Sequence, residues 1–406
     1  MFILYILLAV IAYSYYYNRT GDLLCPHGIF LLMWWVCAAI SCFEQNDFLD
    51  VWKYKTHLVV VISGISYFIG TIRFLPRRKR IMLSLYECMG QSTKFTRIIW
   101  LLFFICFVCS MIEWVNGGAR LVTSYIGTVN DVKSELGVGS ISGVHYGTLF
   151  LPYVAILFYY KYLNSVKKQF IDIFIILLIV MMSIFINFSR GDLMIYITSF
   201  SFLYTRYNTL NIRKTLVIAS VLFGIIIGFA FLRVDEDSML MTMTANPIYS
   251  IFYSYIATCY ANLNDLISSN IGLHPAGNMT FAPLWTILGI RDEMFINVVA
   301  FEQLDMFNAR TYLYPFYHDY GLIGCIIFPL LMGSVYSFLY TRACVRGNYW
   351  VLPVAFYMKA FTVPFFGNYF FGELVILFPF LLIYLIVRFK FNIKSNRFLN
   401  YREYHA

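Results

Sequence analysis

Charged residues are scarce in this chain: they make up 13% of its 406 residues, whereas apolar residues make up 60%. The mean hydropathy of +0.71 is far too high for one soluble core of this length. Runs of about 17 to 22 apolar residues recur along the whole chain, and each could cross roughly 30 Å of hydrocarbon as a helix that satisfies its own backbone hydrogen bonds. The composition therefore predicts an all-α polytopic membrane protein and excludes a water-soluble enzyme.

Several familiar signatures are also missing. The chain has no phosphate-binding glycine loop, no GxSxG elbow and no HExxH pair, which makes nucleotide-driven chemistry unexpected. Its nine cysteines lie mostly within apolar segments or near basic loops, so no disulfide framework is expected. No positive leader precedes the first apolar run, which we interpret as a retained span. The net charge of +9 resides in short loops between apolar segments, where it sets topology and gives no reason to expect nucleic acid as a partner.

The order of basic and apolar segments predicts how the chain crosses the membrane. We expect about 11 spans, with a range of 10 to 12. The predicted spans are 2–17, 27–43, 57–74, 98–115, 146–162, 169–187, 193–205, 215–232, 319–340, 349–366 and 369–387. The basic segments that fall on one face are 76–80, 161–168, 206–214, 341–346 and the tail from 388. Because cytoplasmic loops carry an excess of Lys and Arg, this face is the cytoplasm. The N-terminus is then outside, the C-terminus is cytoplasmic, and residues 1–406 form one membrane domain.

A large, acid-rich loop, 233–318, is expected on the outer face. Within it, segment 246–267 places apolar and aromatic residues at helical spacing and polar residues elsewhere around the helix. The apolar set is Tyr249, Phe252, Tyr253, Ile256, Tyr260, Leu263 and Ile267. This pattern predicts an amphipathic helix. It either lies at the membrane surface or packs against neighbouring helices, and the sequence does not decide between the two.

Arginine on the outer face is informative because the positive-inside bias works against it. Arg190 lies in the turn "SRGD" between two apolar runs, and Arg233, Arg291 and Arg310 lie in or at the ends of the large outer loop. One Arg alone is explained by a side chain that reaches lipid headgroup phosphate. Several together suit a lipid-linked diphosphate, since a guanidinium group binds phosphate oxygens in a bidentate manner and stays charged.

The segment from Asn308 to Arg342 offers candidate residues for sugar binding and catalysis. Tyr312, Tyr314 and Tyr317 could stack on sugar rings, although an ordinary aromatic belt at the membrane surface has the same composition. His318 next to Asp319 could act as a base oriented by a carboxylate, although neighbours in a helix normally point apart.

Lys359 lies inside an apolar run, where facing lipid would be costly. We expect it to turn inward and pair with an acid such as Glu113 or Glu373. Contact with substrate is the alternative.

On these residues the chain resembles the Wzy-type O-antigen polymerases, which join oligosaccharide repeat units. The resemblance rests on the many spans, on "SRGD" at 189–192, on the Arg of "FLRVDED" (Arg233) and on "RTYLYPFYHDYGLIG" at 310–324. The last segment is also similar to the wider polymerase and ligase superfamily, in which an acid, one residue and Gly-x-x-Gly open a helix. Related ligases carry a functional His about nine residues before that acid. Here Arg310 stands in that place, and His318 directly precedes Asp319.

The resemblance implies glycosyl transfer at the periplasmic face of the bacterial inner membrane. A growing glycan would leave undecaprenyl diphosphate and join the next lipid-linked repeat unit, in O-antigen (lipopolysaccharide) or capsule biosynthesis. Arg190, Arg233, Arg291 and Arg310 would bind diphosphate, and His318 or Asp319 would align or deprotonate the acceptor hydroxyl. The expected partners are the lipid-linked oligosaccharide, the bilayer and a chain-length regulator, with no cofactor and no metal. The alternatives are a flippase for the same lipid-linked oligosaccharide and an O-antigen ligase.

Overall fold

The computed structural model describes residues 1–43, 49–75, 93–116, 142–165, 168–185, 190–208, 246–269, 272–295, 309–346 and 350–374, together with a few single positions. These residues form helices and no strands. In chain order the first eight helices are α1 (Phe2–Thr20), α2 (Pro26–Phe43), α3 (Tyr54–Ile72), α4 (Thr93–Asn116), α5 (Ser142–Leu149), α6 (Leu151–Asn164), α7 (Phe170–Phe185) and α8 (Arg190–Tyr207). They are followed by α9 (Pro247–Ser268), α10 (Ala282–Leu288), α11 (Arg291–Phe295), α12 (Tyr314–Arg346), α13 (Val351–Phe356), α14 (Met358–Thr362) and α15 (Tyr369–Gly372).

The long helices support a membrane protein. By length and composition, α3, α4 and residues 314–345 of α12 could each cross a membrane, and α2 and α7 contain shorter apolar helices. An all-helical fold with helices suited to a bilayer is therefore confirmed. The number of about 11 spans, their orientation and the single-domain assignment stay predictions. Predicted span 215–232 and most of 369–387 lie outside the described residues.

The prediction of one helical span over 349–366 is wrong. This segment forms two short helices, α13 and α14, which meet at Tyr357, and α14 ends before Val363, whose φ of −125° and ψ of 52° are not helical. Apolar composition indicates that a segment is buried, but it does not require an unbroken helix. A break is tolerated where the freed backbone groups bond inside the protein, and here the Tyr357 and Phe361 amides donate to the carbonyls of Val354 and Tyr357.

Helices α3 and α12 pack at very close range. A Cβ atom on Gly70 would strike the backbone carbonyl of Leu330, and one on Gly333 would strike the carbonyl of Tyr67. The Ser337 hydroxyl donates to the Thr71 carbonyl at 3.0 Å across the same contact. Small residues that let two backbones approach are the usual means of joining helices within a membrane, where the hydrophobic effect does not drive association.

The predicted amphipathic helix exists as α9. Its N-cap is Asn246, whose side chain accepts hydrogen bonds from the next turn, and Pro247 occupies the first helical position. Apolar Tyr260 and polar Ser254 on different faces are both buried, and α9 packs on α2, α3 and α12. Of the two alternatives left open by the sequence, packing against neighbouring helices is the one observed.

One end of the bundle is closed by a buried ion pair. The Arg206 guanidinium, at the end of α8, contacts the carboxylate of Asp22, which follows α1. The Tyr340 hydroxyl and the Leu24 amide also donate to this carboxylate, at 2.7 Å and 3.1 Å. Burial acts to raise the pKa of Asp22, but Arg206 and these donors outweigh it and lower the pKa below its usual value. The sequence places all these residues on the cytoplasmic face, and the structure brings them together.

The cysteines that the structure describes are free thiols. They include Cys106 and Cys109, which stand at CxxC spacing within the apolar α4. No disulfide joins two cysteines in the described part of the chain.

Candidate active site

His318 and Asp319 form a hydrogen-bonded pair near the start of α12. The Nδ1 atom of His318 lies 2.7 Å from Oδ1 of Asp319, and both side chains are buried. The expectation that these neighbours point apart is therefore wrong. Gly321, two residues later, has φ 59° and ψ −145°, which separates the opening turns from the rest of α12. This backbone conformation is one that glycine adopts without the steric cost of a Cβ atom.

A turn from the large outer loop holds the Asp319 carboxylate in place. The backbone amides of Met279 and Thr280 donate to Oδ2 at 3.1 Å and 2.6 Å. The His274 amide donates to the backbone carbonyl of Asp319 at 3.0 Å. The Thr280 hydroxyl donates to the carbonyl of Pro315, which fixes this turn against the first turn of α12. With the carboxylate so occupied, Asp319 orients His318 and leaves its far ring nitrogen for other partners.

A second imidazole lies on the first. The rings of His274 and His318 are stacked with centroids 4.6 Å apart and an angle of 7° between their planes. The Nε2 atom of each ring is buried and has no hydrogen-bond partner among the described residues. The sequence analysis did not identify His274. It lies 44 positions before His318, and no local sequence pattern predicts a contact at that separation.

A cavity of about 280 Å³ is lined in part by Met279 and Thr280, the turn that holds the Asp319 carboxylate. Thr280 and Pro315 form the wall shared with the His318–Asp319 segment, Arg291 lies at the rim, and Asn368 and Phe371 come from the α15 segment. The Asn368 side-chain oxygen accepts a bond from the Phe371 amide, which fixes the amide group. Its Nδ2 atom is buried without a hydrogen-bond partner in the part of the chain that is described. The cavity thus presents a guanidinium and an amide donor, which is a lining suited to an anionic group.

Behind the cavity lies a buried charged cluster. The Lys359 ammonium is 2.5 Å from Oε1 of Glu373 and 3.9 Å from the ring centre of Tyr369. The Tyr153 hydroxyl donates to Oε2 of Glu373 at 2.7 Å. Lys359 therefore turns inward to an acid, as predicted, and of the two acids named it pairs with Glu373. Glu113 instead contacts His145 at 2.8 Å.

The predicted arginines fall into three groups. Arg291 lines the cavity, and its guanidinium lies 5.1 Å from the ring centre of Phe295. Arg310 is half-buried, with its guanidinium 5.0 Å from the ring centre of Tyr314. Arg190 begins α8, but its side chain, like the whole of Arg233, lies outside the described residues. A joint site for all four arginines stays a prediction.

Two of the three tyrosines expected to stack on sugar are enclosed by protein. Tyr312 and Tyr314 are each 0% exposed. The Tyr312 ring packs against Trp34, with centroids 4.8 Å apart, and the Tyr314 hydroxyl accepts a bond from the Phe301 amide. Neither ring offers a free face in this structure, so we remove both from the proposed sugar contacts. Tyr317 is half-buried and remains a candidate.

The His318–Asp319 pair can accept a proton, and the cavity lined by Arg291 can bind an anionic group. With its Nδ1–H given to Asp319, a neutral His318 would carry its lone pair on Nε2 and could accept a proton there. No group of three or more His, Cys, Asp or Glu residues that could hold a metal ion occurs in the described ranges. Comparison with known proteins gives no match: no protein family, no curated protein and no solved structure matches this chain.

Proposed function

We propose that this chain is a glycosyltransferase that polymerises undecaprenyl-diphosphate-linked oligosaccharide repeat units at the periplasmic face of the bacterial inner membrane. The observation that carries the proposal is a cavity that is lined by Arg291 and by the turn whose backbone amides hold the buried His318–Asp319 pair. Arg291 and Thr280 line the same cavity, and the Thr280 amide is bonded to Asp319. An anion-binding group and an oriented base are the two elements that sugar transfer from a lipid diphosphate requires.

Each residue would have a distinct role. Arg291 would bind the diphosphate of the donor and stabilise the negative charge that develops as the glycosidic C–O bond to phosphate breaks. The Asn368 amide would donate to the same group. His318 would take the proton from the acceptor hydroxyl on Nε2 as that oxygen forms the new bond to the sugar carbon, and Asp319 would hold the imidazole in the required tautomer. The diphosphate is already a competent leaving group, so no nucleotide enters the reaction.

Access to His318 requires a movement. His318 is 2% exposed, and the His274 ring covers one of its faces. Displacing the turn that contains His274 would open a path for the acceptor hydroxyl. The backbone bonds from residues 274, 279 and 280 to Asp319 would then be the contacts that close the site around substrate.

Transport of the same lipid-linked oligosaccharide is a second candidate, and one observation favours it. The ion pair of Lys359 and Glu373 is buried among apolar helices, and charges within the apolar depth of a membrane protein often mark a pathway for substrate or ions. A ligase that moves glycan to a lipid core would share the His318 site. The product pattern separates all three functions.

The test replaces Arg291 with Ala in a deletion strain of the source bacterium and follows the banding pattern of its surface glycan. Loss of one charge-assisted contact should raise the barrier by about 2–4 kcal/mol, by analogy with the loss of an oxyanion-stabilising donor, so long chains should give way to single attached repeat units. If the deletion strain itself attaches no repeat unit, a flippase or a ligase is indicated and the polymerase proposal fails.

Asp292→Ala is the matched control. Asp292 is the next residue of α11, is exposed like Arg291 and does not line the cavity. It should leave the banding pattern unchanged at equal membrane levels. Chains of normal length from Arg291→Ala would remove Arg291 from the site.

A further inference from the structure

A second cavity, of about 320 Å³, lies among the ends of several helices. It is bounded by the end of α2 (Ser41 and Cys42), by the segment 49–52, by His57 near the start of α3 and by one face of α9 that includes Tyr253. The sequence places all of these on the outer face, the same face as the large loop. Its size is at the lower end of the range for small-molecule sites.

Trp52 gives this cavity a rigid aromatic wall. Its ring stacks on Tyr260, with centroids 5.2 Å apart at 26°, and contacts the His57 ring at 5.2 Å and the Tyr5 ring at 6.4 Å. The indole is therefore held by three rings, and little side-chain freedom is left to lose on binding. Trp52 is half-buried, and its Nε1–H donates no hydrogen bond to any described residue, which leaves this donor available.

His57 supplies a second oriented polar group. The hydroxyl of Tyr5 lies 3.0 Å from Nδ1 of His57 and fixes the ring. The Nε2 atom is bonded to nothing within the described segments. Ser41 adds a hydroxyl that donates to the Cys37 carbonyl and keeps its acceptor capacity, and Asp50 adds a carboxylate.

We infer that this cavity binds a neutral saccharide residue. A planar indole with a free donor, an imidazole nitrogen, a hydroxyl and a carboxylate match the apolar faces and hydroxyl groups of a sugar ring. The described lining contains the Asp50 carboxylate and the N-terminal ammonium of Met1, whose opposite formal charges offset each other and favour a neutral ligand, whereas Arg291 gives the other cavity a positive charge. The choice of a sugar over other neutral polar ligands rests on the proposed function. The site would hold a sugar of the glycan at a distance from the reacting bond.

A series of ring contacts runs from this cavity to Tyr312, which lies shortly before His318 in the chain. Trp52 stacks on Tyr260, Tyr260 contacts Trp34 at 5.0 Å, and Trp34 contacts Tyr312 at 4.8 Å. The Asn262 amide of α9 also donates to the carbonyl of Ala309, just before the segment that leads to His318. Tyr312 thus has a packing role at the end of this series of rings.

The experiment measures binding and does not require turnover. Purified protein, in a detergent without a sugar headgroup, is mixed with a panel of methyl glycosides of neutral hexoses and N-acetylhexosamines, and saturation-transfer difference NMR reports contact. The wild-type protein should give a signal with at least one glycoside. Val51→Trp, at an exposed position of the lining, should fill the cavity and reduce that signal at least fivefold. Trp52→Phe, which keeps a ring but removes the N–H, should also reduce it.

Tyr54→Phe is the matched control, because Tyr54 is exposed, aromatic and outside the lining. It should leave the signal unchanged. If Trp52→Phe does not fold, the comparison of Val51→Trp with Tyr54→Phe decides alone. The inference is overturned if no glycoside gives a signal with the wild-type protein, or if the signal survives Val51→Trp. If the protein binds sugar in this cavity but does not polymerise repeat units, this inference stands and the proposed function fails.

Discussion

Two buried aspartates lie at different ends of the helix bundle, and their partners differ in kind. Asp22 is bound by Arg206, a permanent cation, and by the hydroxyl of Tyr340. Asp319 is bound by two backbone amides and by His318, an imidazole that can gain or lose a proton. Both carboxylates are well supplied with donors, so the number of hydrogen bonds does not distinguish them.

The difference lies in what each partner can still do. The Arg206 guanidinium stays protonated at any pH that the protein meets, and Asp22 neutralises its charge in the pair. His318 has one nitrogen committed to Asp319 and the other without a partner among the described residues. The first pair therefore suits stability alone, whereas the second can move a proton. Asp22 serves as an internal reference for what a purely structural aspartate looks like in this fold.

The largest effect is expected when the structural pair is broken. Arg206→Met removes the cation and leaves the Asp22 carboxylate buried without its counter-charge, which should cost about 3–5 kcal/mol of unfolding free energy. The melting temperature of the purified protein in detergent measures this loss. Arg342→Met is the control, since the Arg342 guanidinium is half-buried over the Phe338 ring and should contribute less than about 1 kcal/mol. Equal stability of the two variants would contradict the assignment.

The second expected effect falls on activity. Under the proposed function, His318→Gln keeps a side chain that can donate to Asp319 but removes the basic nitrogen, so polymerisation should fall by about 100-fold or more, while the melting temperature changes little. The measurement is the rate of repeat-unit addition with reconstituted lipid-linked substrate. His274→Phe preserves a stacked ring without nitrogen atoms and should reduce the rate less than His318→Gln does. If the His274 variant lost more of the rate than the His318 variant, His274 rather than His318 would be assigned as the base.

The smallest expected effect is a pH dependence at the structural end. Because the folded-state pKa of Asp22 is lowered, by Arg206 and its hydrogen bonds against the effect of burial, its contribution to stability is fully present above the unfolded-state pKa of about 3.9. It is lost as the pH falls through the lower, folded-state pKa. The stability gap between wild type and Asp22→Asn should therefore narrow as the pH falls below about 4. A gap that widens on acidification would contradict the direction of this shift.

The sequence predicted local structure well and long-range geometry poorly. Helices α1, α4 and α7 lie close to their predicted spans, because the length and periodicity of an apolar run are local properties. The break at Tyr357 was not predicted. A run of apolar residues indicates that a segment is buried, but it does not indicate that its helix is continuous. The packing of α9 was also undecided, since the same stripe suits a membrane surface or another helix.

The candidate site shows the same division. The cost of burying Lys359 predicted an acidic partner, and Glu373 was one of the two acids named. The Asp319 carboxylate that pairs with His318 is held by a turn about 40 positions earlier, and no rule based on residue spacing predicts that contact. The enclosed ring of Tyr312 shows that aromatic composition alone does not separate a packing residue from a ligand platform.

The contact between Gly70 and Leu330 limits how this protein can change over time. A side chain at position 70 would clash with the backbone of Leu330, and the backbone is the same for every amino acid. No exchange at position 330 can therefore make room for it, and a lineage that lost this glycine could recover only by moving α3 and α12 apart. Second-site suppressors of a Gly70 substitution should accordingly be absent from position 330 itself.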